Sequence, residues 1–447
     1  MSLLKCVGGL WVVVLSVFVC PGDADAAFRA GFAKADITPQ KPVPMWGYGD
    51  RHAALSKGVL DPLYAKAVVI EAGGERLAIV GLDLGRSPRA DQMVRIRQAV
   101  QQQSGVGHLL ISGSHTHHGP VIELLDEEGK GRGTFDDAVA YANELESRLI
   151  AVINAAAASL EDAQIGWGTT AIDMNRNRHS GIEPKPRDTE LGVIRIDHLS
   201  GKPLVVIANF AAHPTMVKGE DLRFSADWPG QMMNAVEAGL GTNCIFMQGA
   251  AGDLSTKTTE ETRGHELFGR AIAVHVQSVA SSISTSRPEK PSIASRSDIF
   301  EFPTRLPFSS PLIQAMFSAA FFPELAQASL NDDLKSNIIH PELTTVLLNG
   351  QLALVGGSGE FFCSHSVRLK ERSRADETFF FGYCNGHHMY LPTIEGAAEG
   401  GYGADSTVSW VSLGAGEEMM DQALINIYSL LGKFPENSLT NTDAETE

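Results

Sequence analysis

The alternation of short apolar runs with longer amphipathic stretches most limits how this 447-residue chain can fold. Two apolar runs, 65–71 and 76–82, flank Gly73-Gly74, which is the pattern of a β-hairpin. The next stretch, 88–103, has apolar residues at helical spacing. Strands and helices continue to mix along the chain, often as strand, strand and helix. We therefore predict an α+β or mixed α/β fold with β-sheets flanked by helices, rather than a regular barrel or a Rossmann sheet.

The same patterns locate further elements, and no internal repeat is found in the sequence. The pair Asn349-Gly350 is typical of a tight hairpin turn. Further strands are predicted at 109–112, 193–196, 204–209, 244–247, 293–302, 343–355 and 378–381, and further helices at 136–160, 228–240, 262–283 and 419–431.

Residues 27–432 are predicted to form one large domain. The last residues, 433–447, are polar, and we expect them to be disordered. The clearest candidate for an insertion is 304–330, because its centre, 311–322, is apolar on nearly every face. Such a helix is either buried in the core or forms a lip that handles an apolar substrate or a membrane surface.

The N-terminus has the features of a secretory signal peptide. Lys5 precedes an apolar run, 6–20, and small residues follow at 24–26. An anchoring helix is the alternative, but the run is too short to span a bilayer comfortably. We expect residues 1–26 to be removed and the protein to be secreted, periplasmic or otherwise extracytoplasmic.

Cysteine usage excludes a fold held together mainly by disulfides. Two of the five cysteines lie in the predicted signal peptide, and Cys244, Cys363 and Cys384 remain. An odd number allows at most one disulfide within the chain, and whether Cys363 and Cys384 pair is left open. The stability of the fold must therefore come from a large apolar core.

The charge balance argues against a nucleic-acid partner. Lysine and arginine number 36 against 53 acidic residues, so the formal net charge is −17. Phosphate binding needs a positive surface, and so we expect no nucleic acid as a partner.

Three histidines directly after a predicted strand are the most unusual feature of the sequence. The strand 109–112 leads into 114–120, which reads Ser-His-Thr-His-His-Gly-Pro. Alternate residues of an extended segment point the same way, so His115 and His117 can face one point. Metal ligation, or one ligand beside one base, requires that arrangement, and a hydrogen-bonded loop cluster is the alternative.

Other candidate metal ligands follow predicted strands elsewhere in the chain. A catalytic zinc site keeps about three protein ligands and an open position for water, and the sequence offers enough donors to build one. These candidates are His213, Glu360, His387, His388 and Tyr390.

A small-residue turn, 248–255, ends in Ser255, a candidate nucleophile. It does not match a phosphate-binding loop, because no Lys-Ser/Thr pair follows. The chain also lacks a Gly-x-Ser-x-Gly elbow, and His265-Glu266 lacks the second histidine of a zinc-protease helix.

Taken together and in order, these stretches resemble the catalytic domain of the neutral/alkaline non-lysosomal ceramidase family, from about residue 32 to residue 432. The segment 115–120 is similar to the family's His-Thr-His-Ser-Gly-Pro. The other matching pieces are 31–38, 45–49, 63–67, 81–85, 175–176, 210–214, 252–255, 359–361 and 384–390.

The resemblance implies a secreted or membrane-associated zinc amidase that cleaves ceramide to sphingosine and a fatty acid. It also implies one zinc ion per chain, ceramide or a related N-acyl lipid as substrate, and contact with a membrane surface. The implied roles are zinc ligation by His115, His213, Glu360 and Tyr390, acid–base chemistry or outer support of the metal by His117, nucleophilic attack or substrate orientation by Ser255, and substrate contact by Arg176 and Tyr402.

The chain departs from the family pattern in three places. Thr256-Lys257 replace the usual Pro-Asn, His118 replaces a serine, and His387-His388 replace other residues. We expect no C-terminal immunoglobulin-like domain in this chain. The alternatives left open are a zinc hydrolase of another amide or ester lipid, a different class of metallohydrolase, and a non-catalytic relative that binds a lipid or a surface.

The signal-peptide hypothesis predicts a mature N-terminus near Ala27, because the charged start, the apolar run and the small residues end there. N-terminal sequencing of the secreted protein measures this directly. Secreted protein that still begins with Met1 would contradict the hypothesis.

Overall fold

The computed structural model describes residues 27–320 and 332–435. The predicted signal peptide, part of the apolar insertion, and residues 436–447 of the polar tail lie outside the described residues. Among the residues described, no helix combines the length and the apolar character needed to cross a membrane.

The helices and strands confirm the predicted mixture of sheets and helices. The strands are β1 (Phe28–Asp36), β2 (Gly58–Val59), β3 (Tyr64–Ala72), β4 (Glu75–Leu82), β5 (His108–Gly113), β6 (Glu161–Ala171), β7 (Asn175–Asn177), β8 (Glu190–His198), β9 (Pro203–Phe210), β10 (Arg223–Phe224), β11 (Asn243–Gln248), β12 (Leu254–Thr256), β13 (Ile293–Ile299), β14 (Phe302–Pro303), β15 (Ile338–Ile339), β16 (Glu342–Leu348), β17 (Leu352–Gly357), β18 (Glu360–Phe361), β19 (Glu377–Phe381) and β20 (Tyr390–Leu391). The helices are α1 (Ala90–Ser104), α2 (Asp136–Ala158), α3 (Asp227–Leu240), α4 (His265–Ser282), α5 (Pro311–Ala320), α6 (Asp332–Lys335), α7 (Cys363–Arg372), α8 (Ile394–Glu399) and α9 (Ala415–Leu430).

Three units with the same topology form the body of the fold. In each unit three consecutive sheet strands pair antiparallel, a helix follows, and a fourth strand adds in parallel to the third. The strand orders are β5-β4-β3-β1, β11-β9-β8-β6 and β19-β17-β16-β13. The first two units share one eight-stranded sheet, in which two residue pairs join β1 to β6. The repeat is one of topology, and no internal repeat in the sequence accompanies it.

One apolar core lies between the eight-stranded and the four-stranded sheet, and a helical layer covers the outer face of each unit. Strands of all three units contribute to the shared core, including Val68 of β3, Ile194 of β8 and Phe379 of β19. Helices α1 and α2 cover the first unit, α3 and α4 the second, and α7 and α9 the third. Along the strands, one set of alternate residues faces the shared core and the other set faces the helices, as in a sheet that is buried on both sides.

Most predicted elements are confirmed within a few residues. The hairpin between β16 and β17 turns at Asn349 and Gly350, which both have positive φ, at 56° and 68°. Cys244, Cys363 and Cys384 are all buried and unpaired, so the described residues contain no disulfide. The apolar segment does form a helix, α5, but Leu312 and Met316 are 67% and 60% exposed. A wholly buried core helix is therefore wrong for this part of the segment.

Close contact between the second and third units depends on Gly192 of β8. A Cβ atom at this position would lie 2.2 Å from the ring of Phe379, which is itself buried. We expect Gly192→Ala to lower the free energy of unfolding by about 1–3 kcal/mol, because a packed ring has little room to move. Urea unfolding measures the change.

Gly49→Ala serves as the control, because a Cβ there meets no atom within 4 Å. If the strain comes from the contact between residue 192 and the Phe379 ring, the double variant Gly192→Ala/Phe379→Leu loses much less unfolding free energy than the sum of the two single losses. Additive costs would contradict the assignment.

Candidate active site

The chemistry-bearing residues follow strand ends in all three units. The carboxyl ends of β4 and β5, β9 and β11, and β17 and β19 form three parallel pairs. Three residues beyond the ends of β4, β9 and β17 lie Gly85, His213 and Glu360, respectively. The segments that follow their parallel partners β5, β11 and β19 carry His115, Ser255 and Tyr390. The fold thereby brings together side chains that are far apart in the chain.

Three buried donor atoms converge at the junction of the units. His115 Nε2 lies 3.1 Å from His213 Nε2, and Glu360 Oε2 lies 3.2 and 3.4 Å from these two nitrogens. All three side chains are almost completely buried, and Glu360 Oε2 has no hydrogen-bond partner among the described residues.

The other ring nitrogen of each histidine is held by the backbone. His115 Nδ1–H donates to the carbonyl of Gly85 at 2.9 Å. His213 Nδ1–H donates to the carbonyls of Ala251 and Leu254 at 2.6 and 3.1 Å. Since a carbonyl can only accept, these bonds leave a lone pair on each neutral Nε2, the usual way in which a protein orients a metal-binding histidine.

The spacing of the three atoms fits zinc. A tetrahedral zinc with donors about 2.0–2.1 Å away keeps those donors about 3.3 Å apart. Two nitrogen lone pairs and a carboxylate oxygen at such distances repel each other unless a cation lies between them. The predicted ligands His115, His213 and Glu360 are thus brought into one group, and the residues present fit the ion.

Tyr390, the fourth predicted ligand, is the direct neighbour of Glu360 on the short parallel pair β18–β20. Its ring is buried, and burial and the Glu360 charge raise the pKa of Tyr390 well above its usual value. Burial opposes ionisation of Glu360, and the hydrogen bond from His387 lowers the pKa of that carboxyl. His387 Nε2–H donates to Glu360 Oε1 at 3.2 Å, which orients the carboxylate.

A partly buried arginine, Arg178, which the sequence analysis did not select, lies beside this group. Arg178 Nη2 donates to Tyr390 Oη at 3.0 Å and to the carbonyl of Gly252 at 2.9 Å, and it lies 3.0 Å from His213 Nε2. Burial opposes its charge, yet Tyr390 and Glu360 raise the pKa of Arg178 above its usual value.

The predicted substrate contact Arg176 lies two residues earlier on β7, opposite Ser255 of β12, and its side chain is exposed. The structure does not bring it to the histidine group. The repeated Asn-Arg of Asn175-Arg176-Asn177-Arg178 was the available signal, and it could not say which arginine enters the site.

His117 joins the group, although not through an extended segment as expected. The strand ends at Gly113, and His115 has a positive φ of 68°, so the chain turns there. The ring of His117 lies 5.1 Å from that of His115 and 5.2 Å from that of Trp46. Both its nitrogens are buried without a partner among the described residues, and burial, His115 and His213 lower its pKa well below the usual value.

Ser255 is held beside His213 by a bridge between the two backbones. Its Oγ is buried and has no hydrogen-bond partner among the described residues. Ser255 is not among the described side chains that line the main cavity. The geometry therefore brings Ser255 next to a predicted ligand without showing its hydroxyl in the open space.

A cavity of about 1040 Å³ opens onto the histidine group. His115, His117, Glu360 and Tyr390 line its base, and Tyr402, 61% exposed, lies on its wall with its ring 5.6 Å from that of Tyr390. The first unit supplies a charged wall. The third unit supplies His340, Glu342 and an apolar patch, called the apolar wall, formed by Ile299, Leu334, Ile338, Ile339 and Trp410.

Comparison with known proteins gives the family. The family model described as neutral/alkaline non-lysosomal ceramidase, N-terminal, matches residues 28–264, just over half of the chain. The chain belongs to the neutral/alkaline non-lysosomal ceramidase family. The matched region includes His115, His213 and Ser255 and ends before Glu360 and Tyr390.

Curated relatives are more distant and much longer. Neutral ceramidase B of Dictyostelium discoideum is 25% identical over 269 residues, which is 54% of this chain and 37% of that protein. Neutral ceramidase A of the same organism is 26% identical over 226 residues, 46% of this chain and 31% of that protein. The chain thus spans about a third of the length of these relatives.

Solved structures share the fold. The neutral ceramidase from Pseudomonas aeruginosa superposes with a TM-score of 0.73 at 19% identity, over 92% of this chain and 75% of that one. A ceramidase complexed with C2 gives 0.70 at 18% identity, over 92% and 76%. At these identities the likeness establishes the architecture, and the predicted fold class is confirmed.

His118, which replaces a serine of the family motif, gives a testable pH effect. Its Nε2 lies between the Arg51 guanidinium and the carbonyl of Lys218. Burial and the Arg51 charge lower the pKa of His118 to about 4. The unfolded chain therefore binds a proton at this position that the folded chain does not, so the free energy of unfolding falls as the pH drops from about 6.5 toward 4.

Between pH 6.5 and pH 4.5 we expect the free energy of unfolding to fall by about 2 kcal/mol less in His118→Gln than in the wild type. Urea unfolding at the two pH values measures this difference. His275→Gln, a change at an exposed histidine of α4, is the control and should follow the wild type. Equal losses in His118→Gln and wild type would show that His118 is not held neutral by burial.

Proposed function

We propose that this protein is a zinc-dependent amidohydrolase that cleaves the N-acyl amide of ceramide or a related lipid, giving an amine and a fatty acid. The observation that carries the proposal is the convergence of His115 Nε2, His213 Nε2 and Glu360 Oε2 at the base of a cavity with one apolar wall. Family membership supports the reaction class.

Each side chain of the group has a chemical task in this proposal. His115, His213, Glu360 and Tyr390 would hold the zinc, which would supply Lewis-acid polarisation of the amide carbonyl and a nucleophile at neutral pH. His117 is neutral and unpartnered, so it can accept a proton from the nucleophile and return it to the leaving amine.

Ser255 is proposed as the nucleophile or as a group that orients the substrate. Its buried Oγ beside His213 supports a role, because a buried hydroxyl with no partner among the described residues calls for a ligand or another bonding group. Arg178 replaces Arg176 as the proposed substrate-side arginine, and it also donates a hydrogen bond to Tyr390 Oη and lies near the Glu360 charge. Tyr402, at the cavity wall, is proposed to contact the substrate.

We also propose that the protein acts outside the cytoplasm and takes its substrate from a membrane surface. The apolar wall of the cavity is joined to helix α5, because Ser309, just before the helix, bonds to Asn337, just before the wall residue Ile338. Leu312 and Met316 of α5 are exposed, which favours contact with a lipid surface.

The decisive measurement combines metal content with hydrolysis. His115→Ala and His213→Ala should purify without zinc and without ceramide hydrolysis, because each removes a direct ligand. His387→Ala should lower zinc affinity by about 10–100-fold, since His387 only orients Glu360. Ser255→Ala should keep its zinc and lose hydrolysis. Elemental analysis and release of the fatty acid are the readouts.

His275→Ala, on the exposed face of α4, is the matched control and should keep both properties. Full zinc content and full turnover in His115→Ala would contradict the ligand assignment. Zinc-loaded wild type that hydrolyses no amide or ester lipid would point to a non-catalytic lipid-binding protein. A covalent acyl group trapped on Ser255 would identify it as the nucleophile.

A further inference from the structure

Arg86 is the one arginine of the described cavity wall that has no carboxylate partner within 4 Å. Arg89 and Arg95 line the same wall, and both pair with Asp91 at 3.0 and 3.1 Å. Arg86 Nε is buried and unpartnered among the described residues, and its nearest polar contact is from Nη2 to the His387 carbonyl at 3.5 Å.

Hydrogen bonds hold the backbone around Arg86 beside the histidine group. Gly85, the preceding residue, accepts the hydrogen bond from His115 Nδ1. Ser87, the following residue, bonds to both backbone groups of Gly386 at 2.7 and 2.9 Å. Arg86 is therefore a fixed part of the wall next to the histidines.

Most carboxylates of the cavity wall pair with cations other than Arg86. Asp91, Asp126, Glu127, Glu146 and Glu342 each pair with another cation. Glu123 attracts Arg86 across the wall but does not contact it, while burial lowers the pKa of Arg86. Burying a charge without a partner is costly, and so such an arginine is a natural place for an anionic ligand group.

We propose that Arg86 binds the carboxylate of an N-acyl amino acid, making such lipids the substrates of this chain. The proposal rests on the amidohydrolase function above and specifies its substrate class. The acyl chain lies on the apolar wall of the third unit, and the carboxylate lies on the first unit beside the scissile amide. Water then adds across the C–N bond: its OH goes to the acyl carbon and its proton to the amine, releasing a fatty acid and an amino acid.

This geometry distinguishes substrates by the charge next to the amide. Ceramide and N-acylethanolamines carry no negative charge there, so they leave Arg86 unpaired. A carboxylate one carbon from the amide nitrogen allows the paired hydrogen bonds that a guanidinium makes with a planar anion.

Equilibrium binding to the purified full chain tests this without relying on turnover. N-dodecanoylglycine, N-dodecanoylethanolamine and dodecanoate share one acyl chain and differ in where a carboxylate lies. We expect N-dodecanoylglycine to bind about 10- to 100-fold more tightly than the ethanolamide, the size expected for a hydrogen-bonded charge pair. Arg86→Met should abolish this preference, and Arg86→Lys should keep part of it.

Arg270→Met, at an exposed position of α4, is the matched control and should keep the full preference. Thermal unfolding and circular dichroism check that the Arg86 variants are folded, and Arg86→Lys supports the proposal if Arg86→Met is not. The proposal is overturned if the wild type shows no preference, if Arg86→Met retains it, or if Arg86 matters only for dodecanoate, which would make it a site for the fatty-acid product.

Hydrolysis assays then separate the two proposals. If the zinc-loaded enzyme cleaves N-dodecanoylglycine faster than ceramide and Arg86→Met reverses that order, both stand. If binding follows the predicted pattern but no amide is cleaved, the amidohydrolase function fails while the carboxylate site remains. If ceramide is cleaved with no dependence on Arg86, the substrate class proposed here is wrong and the enzyme activity stands.

Discussion

The repulsion between two nitrogen lone pairs and a buried carboxylate oxygen is the interaction on which the rest of the site depends. His115, His213 and Glu360 are held from behind by the Gly85 carbonyl, the Ala251 and Leu254 carbonyls, and His387. These contacts stop the three side chains from turning away from each other. A cation of the size and geometry of zinc relieves the repulsion, so the backbone around the site is in effect arranged for an ion.

Gly85 is the residue of the first unit that corresponds to His213 and Glu360. It occupies the place after its strand that His213 and Glu360 occupy in the other two units, but it has no side chain. A Cβ there would lie 2.2 Å from the Trp46 ring, which packs instead against His115 and His117. The first unit therefore supplies a wall and a carbonyl at this point, and its own ligand, His115, comes from the next loop.

Much of the fold was predictable because its strands are short, apolar and separated by clear turns. The helix α1 and the hairpin of β3 and β4 follow directly from hydrophobic periodicity. The threefold repeat was not predictable in this way, because topology is preserved where side chains are not. Of the site, the histidines and Glu360 could be predicted as strand-end ligands. Arg178 could not be distinguished from Arg176, since both follow an asparagine in one short segment and only tertiary packing decides which is buried.

The charges around the cavity follow a common rule. Arg178 is partly buried and lies against Tyr390 and His213, and most carboxylates of the cavity wall pair with arginines or a lysine. Buried charge in proteins is normally compensated in this way, so an exception carries information about a ligand. The exception is Arg86. Sequence alone cannot reveal it, because it depends on which side chains lie within a few ångströms of the guanidinium.

The threefold construction has a consequence for how the protein holds together. No unit contains the whole group of candidate ligands, so an ion can bind tightly only when all three units are docked. Binding to the docked state alone stabilises it by mass action, in proportion to the logarithm of the free ion concentration. A bound ion would then stabilise the contacts between the three units. Its removal would weaken these contacts before any single unit unfolds.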